Sequence, residues 1–372
     1  MRRTPSSDGV GVVDPPPPQA ASSRAAAMAV PMVARNRMSS SVGWSRPDGS
    51  GPDQRLPMGE DVRPMASVAG SEPERIALLA NPAARAGRAA GDLDRVLDRL
   101  RTHGIDAELL VAPSRAAAQE AAHGAVARGV DRLLVLGGDG IVHLGAQAVA
   151  GTGVALGVIA GGTGNDFARA LGLLAGTLEE RVDRALLEPT PLDAIETDAG
   201  FAATSVIAGF PATVNARANG MSFPRGTARY TVATLLELFG MRPTTYRLAL
   251  DGEAHDVRAA VVVVANTRFF GAGMDICPDA DPADGLLDVC IVGDVGRLEL
   301  LRSFQKVQTG RHVGHPKVTM LRASEVVLAG NGPVRADGEP FGELDPHRPC
   351  AMRAAPGALR LAGASPPSPV GG

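Results

Sequence analysis

The chain has 372 residues, 45% of them hydrophobic and 3% aromatic, enough length and apolar material for two domains with cores of their own. Its 37 Lys and Arg against 40 Asp and Glu leave a formal net charge of −3, which excludes the global basic field of a nucleic-acid binder. Cys277, Cys290 and Cys350 have no CxxC spacing, so a disulfide framework and a zinc site are excluded and a reducing, cytoplasmic compartment is expected.

Residues 1–73 are rich in Pro, Ser, Gly, Ala and Arg, include Pro15-Pro16-Pro17-Pro18 and show no sustained periodicity, as expected of a disordered extension. Ala25 to Ala34 is a poor signal-peptide core broken by Pro31, and Met58 and Met65 offer alternative translation starts. No apolar run has the length of a membrane span. A first domain is expected over 74–192. Arg75 to Ala80 predicts a strand ending at Asn81-Pro82. Leu93, Val96, Leu97 and Leu100 fall at helical spacing; Ala107 to Val111 predicts a second strand and Ala116 to Arg128 a second helix. Strands alternating with helices predict a three-layer α/β fold around a parallel sheet.

The next unit organises the rest. Leu133 to Leu136 is a short continuous apolar run, as in a strand covered on both faces. Gly137, Gly138 and Gly140 then let the chain turn sharply into a helix through Ile141, Val142 and His143. Such a turn directs free N–H groups outward, where they bind phosphate. Asp139 would repel a phosphate unless a cation lay between them, so it predicts Mg²⁺ as well. The pattern returns in Val154 to Ala160, followed by Gly161-Gly162-Thr163-Gly164, with Asn165 as a helix N-cap and Asp166 in the first turn. Neighbouring parallel strands present such turns on one edge of the sheet, so the two loops and two acids converge. Each turn taken singly is equally readable as a tight connection. A helix from Leu178 to Leu187 closes the domain.

From Pro191 the texture becomes β-rich. Strands are expected at 193–197, 200–207, 244–250, 257–264, 286–292 and 325–329, with a tight turn at Asp251-Gly252 and helices at 229–239 and 298–309. This predicts an antiparallel β-sandwich domain over 193–355, with the site in the cleft between domains. Pro278 to Val289 is an acidic turn before a strand, readable as a hard-cation site or as a solvated turn. Ala336-Asp337-Gly338-Glu339-Pro340 brings two acids together around a glycine; Asp251-Gly252-Glu253 shows that the same triplet also arises as a hairpin tip. His312 and His315 are expected in a loop. Arg217, Arg225 and Arg229 around Phe223-Pro224 read equally as an anionic-headgroup patch or a solvated loop.

Gly137-Gly138-Asp139-Gly140 followed by Gly162-Thr163-Gly164-Asn165-Asp166-Phe167-Ala168-Arg169 resembles the diacylglycerol kinase catalytic domain family, in its bacterial soluble lipid-kinase branch, related to sphingosine and ceramide kinases. The first turn alone also occurs in NAD kinases and resembles the phosphofructokinase loop; the second segment favours the lipid kinases. The resemblance covers roughly Ile76 to Leu361. It implies ATP at Asn81, Pro82, Gly137 to Ile141, Thr163 and Asn165. It implies catalytic Mg²⁺ organised by Asp139 and Asp166, and a structural Mg²⁺ at Asp281, Asp284 and Leu286. It implies Glu339 as proton acceptor with Asp337 as its helper, a lipid-binding second domain, and a final strand at 358–361 within a terminal segment, 356–372, that returns to the first domain. Asn266 with Gly271-Ala272-Gly273-Met274 resembles a family loop and reads equally as a Gly-rich bulge. The chain departs from the family at Ala84 and Arg85 (for Ser-Gly), at Ala112-Pro113-Ser114 (for a Thr), at Ile141 (Thr), at Leu144 (Glu) and at Pro211 (an acid). The expected function is transfer of the γ-phosphate of Mg-ATP to a lipid hydroxyl at the membrane surface, with diacylglycerol giving phosphatidic acid. The alternatives are a kinase for a sphingoid base or NAD, and a nucleotide-binding regulator without catalysis. No nucleic-acid partner is expected, and a homodimer stays open.

Overall fold

A computed structural model describes residues 73–80, 88–209, 243–296, 299 and 306–364. Outside them lie the extension up to 72, Asn81, Pro82, Ala84, Arg85, Pro211, the Arg217 to Arg229 segment, the helix expected at 229–239, most of that expected at 298–309, and the tail beyond 364.

The first half alternates strand and helix: β1 (Ile76–Ala80), α1 (Arg88–Thr102), β2 (Glu108–Val111), α2 (Arg115–Ala127), β3 (Arg132–Gly137), α3 (Asp139–Val149), β4 (Ala155–Ala160), α4 (Asp166–Ala170) and α5 (Leu178–Ala185). β1, β4 and the Leu133 to Leu136 run of β3 are apolar because helices cover both sides of their sheet. On one face Ala118, Ala122, Val142 and Val149 of α2 and α3 pack with Leu133, Val135 and Leu156. On the other, Val96, Leu100 and Val182 of α1 and α5 pack with Leu78, Leu134 and Ile159. Each of the Val, Leu and Ile side chains contributes about 1.5–3 kcal/mol by leaving water. Helix starts follow local chemistry. Ser114 caps α2 by accepting the Ala117 N–H, and Thr177 and Glu180 form a reciprocal capping box at α5. Arg99 then clamps α1 to α5 through a two-pronged bond to Asp183 at 2.7 and 2.6 Å.

The second half is β5 (Pro189–Thr197), β6 (Gly200–Ala202), β7 (Ser205–Ala208), β8 (Thr244–Leu250), β9 (Glu253–Ala259), β10 (Val261–Ala265), β11 (Phe269–Phe270), β12 (Met274–Asp275), β13 (Leu287–Val292), β14 (Val318–Ala323), β15 (Glu325–Ala329), β16 (Gly332–Ala336), β17 (Glu339–Leu344) and β18 (Cys350–Ala362). One sheet runs β14-β13-β10-β7-β16-β17, antiparallel throughout. It packs against β8, β15 and β18 through Val206, Val262, Val264, Val289, Tyr246, Leu248, Val326 and Met352. The fold class is as the sequence predicts: a mostly parallel α/β half followed by an antiparallel β half. Asp251-Gly252 is the tight turn joining β8 and β9, with positive φ at both residues.

Three strand boundaries differ. The strand expected at 200–207 breaks at Ala203-Thr204, where the backbone N–H groups turn to a carboxylate described below. The strand expected at 257–264 breaks at Ala260, whose N–H bonds across to Val292. The return strand begins not at 358 but at Cys350. Pro356-Gly357 is absorbed as an irregularity in the β18–β5 pairing with Gly357 at φ 65°. β18 thus pairs with β15 at its start and lies parallel to β4 at its end, with Leu361 opposite Leu156. That strand fuses both halves into one 10-stranded sheet, and the boundary at 192–193 falls inside β5. Among the described residues no helix is long and apolar enough to cross a membrane.

Candidate active site

β3 and β4 are parallel neighbours, with Gly137 opposite Ala160, so their following turns lie side by side. The turns touch backbone to backbone: a Cβ on Gly138 would stand 3.0 Å from the Gly162 Cα. The Gly161 N–H bonds the Gly137 carbonyl at 2.8 Å. Asn165 sits at the start of α4 with φ 55°, and its side chain does not cap that helix. It turns back instead, accepting the Gly162 N–H and donating to the Gly162 carbonyl, each at 2.9 Å, which closes the second turn on itself. Thr163 is exposed at the tip.

Asp139 ties the two turns together. One oxygen accepts the Asn165 N–H and the other the Asp166 N–H, both at 2.7 Å. Asp166 repeats the device one step further, accepting the Ala272 and Gly273 N–H groups at 2.9 and 2.7 Å. The Gly271 to Gly273 segment, the turn of the β11–β12 hairpin, is thereby latched to the first half. Burial raises the pKa of Asp139, and burial together with the Asp139 charge pushes Asp166 up to about 6. Each oxygen keeps a second lone pair after one hydrogen bond. A buried carboxylate raised by the charge of a part-buried neighbour fits a divalent cation, which would favour both charges. Among the described residues no three His, Cys, Asp or Glu cluster to hold a metal by themselves.

Asp337 and Glu339 both lie along α3, one helical turn apart. Asp337, on the β16–β17 turn at φ 51°, is buried. It accepts the Ala203 N–H at 3.0 Å, the Thr204 N–H and hydroxyl at 2.7 Å each, and the Ser205 N–H at 3.3 Å. Its Oδ2 lies 2.7 Å from Nδ1 of His143, and an ionised carboxylate makes that nitrogen the donor. Burial alone would raise this acid, but His143, Thr204 and Ala203 hold it below the usual carboxylate range. Glu339 reaches the other end of the helix face. A Cβ on Gly140 would lie 3.0 Å from its Oε1, so its carboxylate stands over the first turn of α3, and its Oε2 is 3.1 Å from Arg115. Asp337 therefore locks the turn that carries Glu339. A cavity of about 250 Å³ opens beside the loop, lined by Gly138, Gly140, Ile141, Leu144, Ser114 and Arg115. A larger one, about 930 Å³, runs along β17 and is lined by Phe341 and Leu344 together with the charged side chains of Asp198, Glu343, Asp345 and Arg348.

Asp281, Asp284 and Leu286 make a different set of contacts. Asp281 accepts the Ala283 N–H at 3.1 Å and Asp284 the Leu286 N–H at 3.0 Å, each closing its own turn. Arg322 pairs with Asp284 and approaches buried Asp288 at 3.5 Å. Burial pushes Asp288 up to about 6. The positive charge beside Asp284 and Asp288 in this turn is the Arg322 guanidinium.

His143, Thr204 and Arg115 escape a sequence reading. His143 shows only as a polar residue on an apolar helix face, and Arg115 stands beside Ser114, which carries the more familiar helix-start signal.

Residues 75–196 match the family description "Diacylglycerol kinase catalytic domain", and residues 204–363 match "YegS C-terminal NAD kinase beta sandwich-like domain". A diacylglycerol kinase of Mycobacterium tuberculosis is 36% identical over 295 residues, covering 77% of this chain and 94% of that protein. The chain belongs to the diacylglycerol kinase family. Another relative of this kinase, from Xanthomonas axonopodis pv. citri and named "Probable lipid kinase YegS-like", is 30% identical over 215 residues, 55% of this chain and 70% of its own. A crystal structure of a diacylglycerol kinase from Bacillus anthracis shares the fold with TM-score 0.60 at 20% identity, covering 80% of this chain and 98% of that one. In this lipid kinase Asp139 and Asp166 come from the first matched segment, and Ala272, Gly273, Asp337 and Glu339 from the second.

Proposed function

We propose that this kinase transfers the γ-phosphate of Mg-ATP to the hydroxyl of a lipid at a membrane surface, with diacylglycerol as acceptor and phosphatidic acid as product. The observation that carries this reading is the Glu339 carboxylate over Gly140: a proton acceptor stands at the helix N-terminus where a donor phosphate would bind. Backbone N–H groups of the turn around Gly138 to Gly140 receive the phosphates. The apolar side chains of Ile141 and Leu144 leave the cavity wall suited to a flat base. Asp139 and Asp166 would hold Mg²⁺, which supplies neutralisation of phosphate charge. Glu339 takes the proton of the acceptor hydroxyl and aligns it, while His143 and Asp337 keep the β16–β17 turn in place. We read the Arg322 guanidinium as the positive charge of the acidic turn, in place of a structural Mg²⁺.

The test is transfer of label from γ-labelled ATP to a panel of lipids in mixed micelles, with sphingosine and NAD included. Label on diacylglycerol supports the reading. Label on sphingosine or NAD instead replaces the acceptor, and no label on any acceptor while nucleotide still binds overturns the kinase in favour of a regulator. Asp139→Asn and Glu339→Gln are each expected to abolish turnover in a folded protein.

A further inference from the structure

Arg115 is the first residue of α2 and belongs to neither Gly-rich turn. Its Nη1 lies 3.1 Å from Glu339 Oε2 and 3.8 Å from where a Gly140 Cβ would stand, and it lines the cavity beside Gly138 and Gly140. Arg115 is thus within reach of both the proton acceptor and the phosphate position, whereas Arg335, the second cation beside Glu339, is committed to the Gly338 carbonyl at 2.7 Å. While it holds Glu339, that carboxylate is turned toward a guanidinium rather than toward an acceptor hydroxyl. The pair is open to solvent, its side chains 44% and 30% exposed, so it is weak and exchangeable. A triphosphate brings far more negative charge to the same spot.

We propose that Arg115 is handed from Glu339 to the γ-phosphate when ATP binds, so that nucleotide binding itself frees the proton acceptor. This rests on the kinase reading above. In the transfer step the acceptor oxygen forms a bond to γ-phosphorus, and its proton passes to Glu339. The bond from γ-phosphorus to the β–γ bridging oxygen breaks, and ADP leaves with that electron pair. Arg115 stabilises the charge on the moving phosphoryl group, as a guanidinium fork does for phosphate generally.

The experiment is calorimetric titration of Mg-ATP and Mg-ADP into wild type, Arg115→Gln, Arg115→Lys, Glu339→Gln and the Arg115→Gln/Glu339→Gln double variant, with turnover measured alongside. Arg115→Gln is expected to weaken ATP by about tenfold, the loss of one charge-assisted hydrogen bond, and to leave ADP nearly unchanged. Arg115→Lys restores part of the ATP affinity. Glu339→Gln binds ATP several-fold more tightly than wild type because Arg115 is already free, and that gain disappears in the double variant. Unchanged ATP affinity in Arg115→Gln overturns the proposal. So does a gain from Glu339→Gln that persists without Arg115, since that is plain removal of negative charge. ADP binding reports whether each variant is folded; if Arg115→Gln loses it, Arg115→Lys and Glu339→Gln decide. A wild type that labels no acceptor removes the kinase reading, whereas an active wild type with ATP-insensitive Arg115 variants removes only the handover.

Discussion

Asp337 and Glu339 are two residues apart in sequence and differ in side-chain exposure and in partners. Asp337 is buried under five donor groups, and Glu339 is partly open beside Arg115. Asp337→Ala leaves buried donors unpaired and is expected to cost about 3–5 kcal/mol in urea unfolding, whereas Glu339→Gln should leave stability nearly unchanged. A smaller loss for Asp337→Ala than for Glu339→Gln would contradict this arrangement. The depressed Asp337 pKa has a defined sign. Its stabilisation is present above the unfolded value of 3.8 and is lost as pH falls through the lower folded value. Acid unfolding of the wild type should therefore be steeper than that of Asp337→Asn. Asp166 has the opposite sign: its raised pKa makes its ionised form the costly one, so its stabilising contribution, full below 3.8, is lost as pH rises through about 6. A carboxyl ¹³C titration should find its midpoint near that value in metal-free protein and lower with Mg-ATP. The presence of Asp-Gly-Glu was legible in the chain; which acid would be buried was not, because neither residue's neighbours are local.

At the scale of elements, the two Gly-rich turns act as one unit. A Cβ at Gly162 collides with the Gly138 Cα and comes within 2.5 Å of Asn165 Oδ1. Gly162→Ala should therefore abolish nucleotide binding, with a native-like circular dichroism spectrum showing that the damage is confined to the turns; retained binding would show that they tolerate separation. Each turn was readable from β3 and β4 because an apolar run followed by glycines is a local signal. The work of Asn165 was not, because its backbone is held left-handed and its side chain serves Gly162 rather than the helix. The acidic turn carries its own prediction. With Arg322 against Asp284 and Asp288, the melting temperature without nucleotide should be insensitive to chelator, and Arg322→Gln should make it rise with added Mg²⁺. A wild-type melting temperature that drops in chelator would restore a metal to this turn.

For the whole molecule, the decisive element is β18. Its first residues pair with β15, its last with β4, and β5 runs along its length. Leu359 and Leu361 are buried in the core of the first half. Leu361→Ala should cost about 2–5 kcal/mol, and both halves should still melt in one transition because they share a sheet. Two separated transitions would mean that the halves fold independently. The sequence by itself determined the strand–turn–helix units, the two-part α/β and β texture and the acids gathered at Gly-rich turns, since periodicity, turn chemistry and short motifs act over a few residues. Only the tertiary structure decided that His143 meets Asp337 across 194 residues, that Arg115 meets Glu339, and that Pro356-Gly357 bends a strand instead of ending it. Those outcomes depend on which surfaces two remote segments bury together, and that free energy exists only once the sheet has closed.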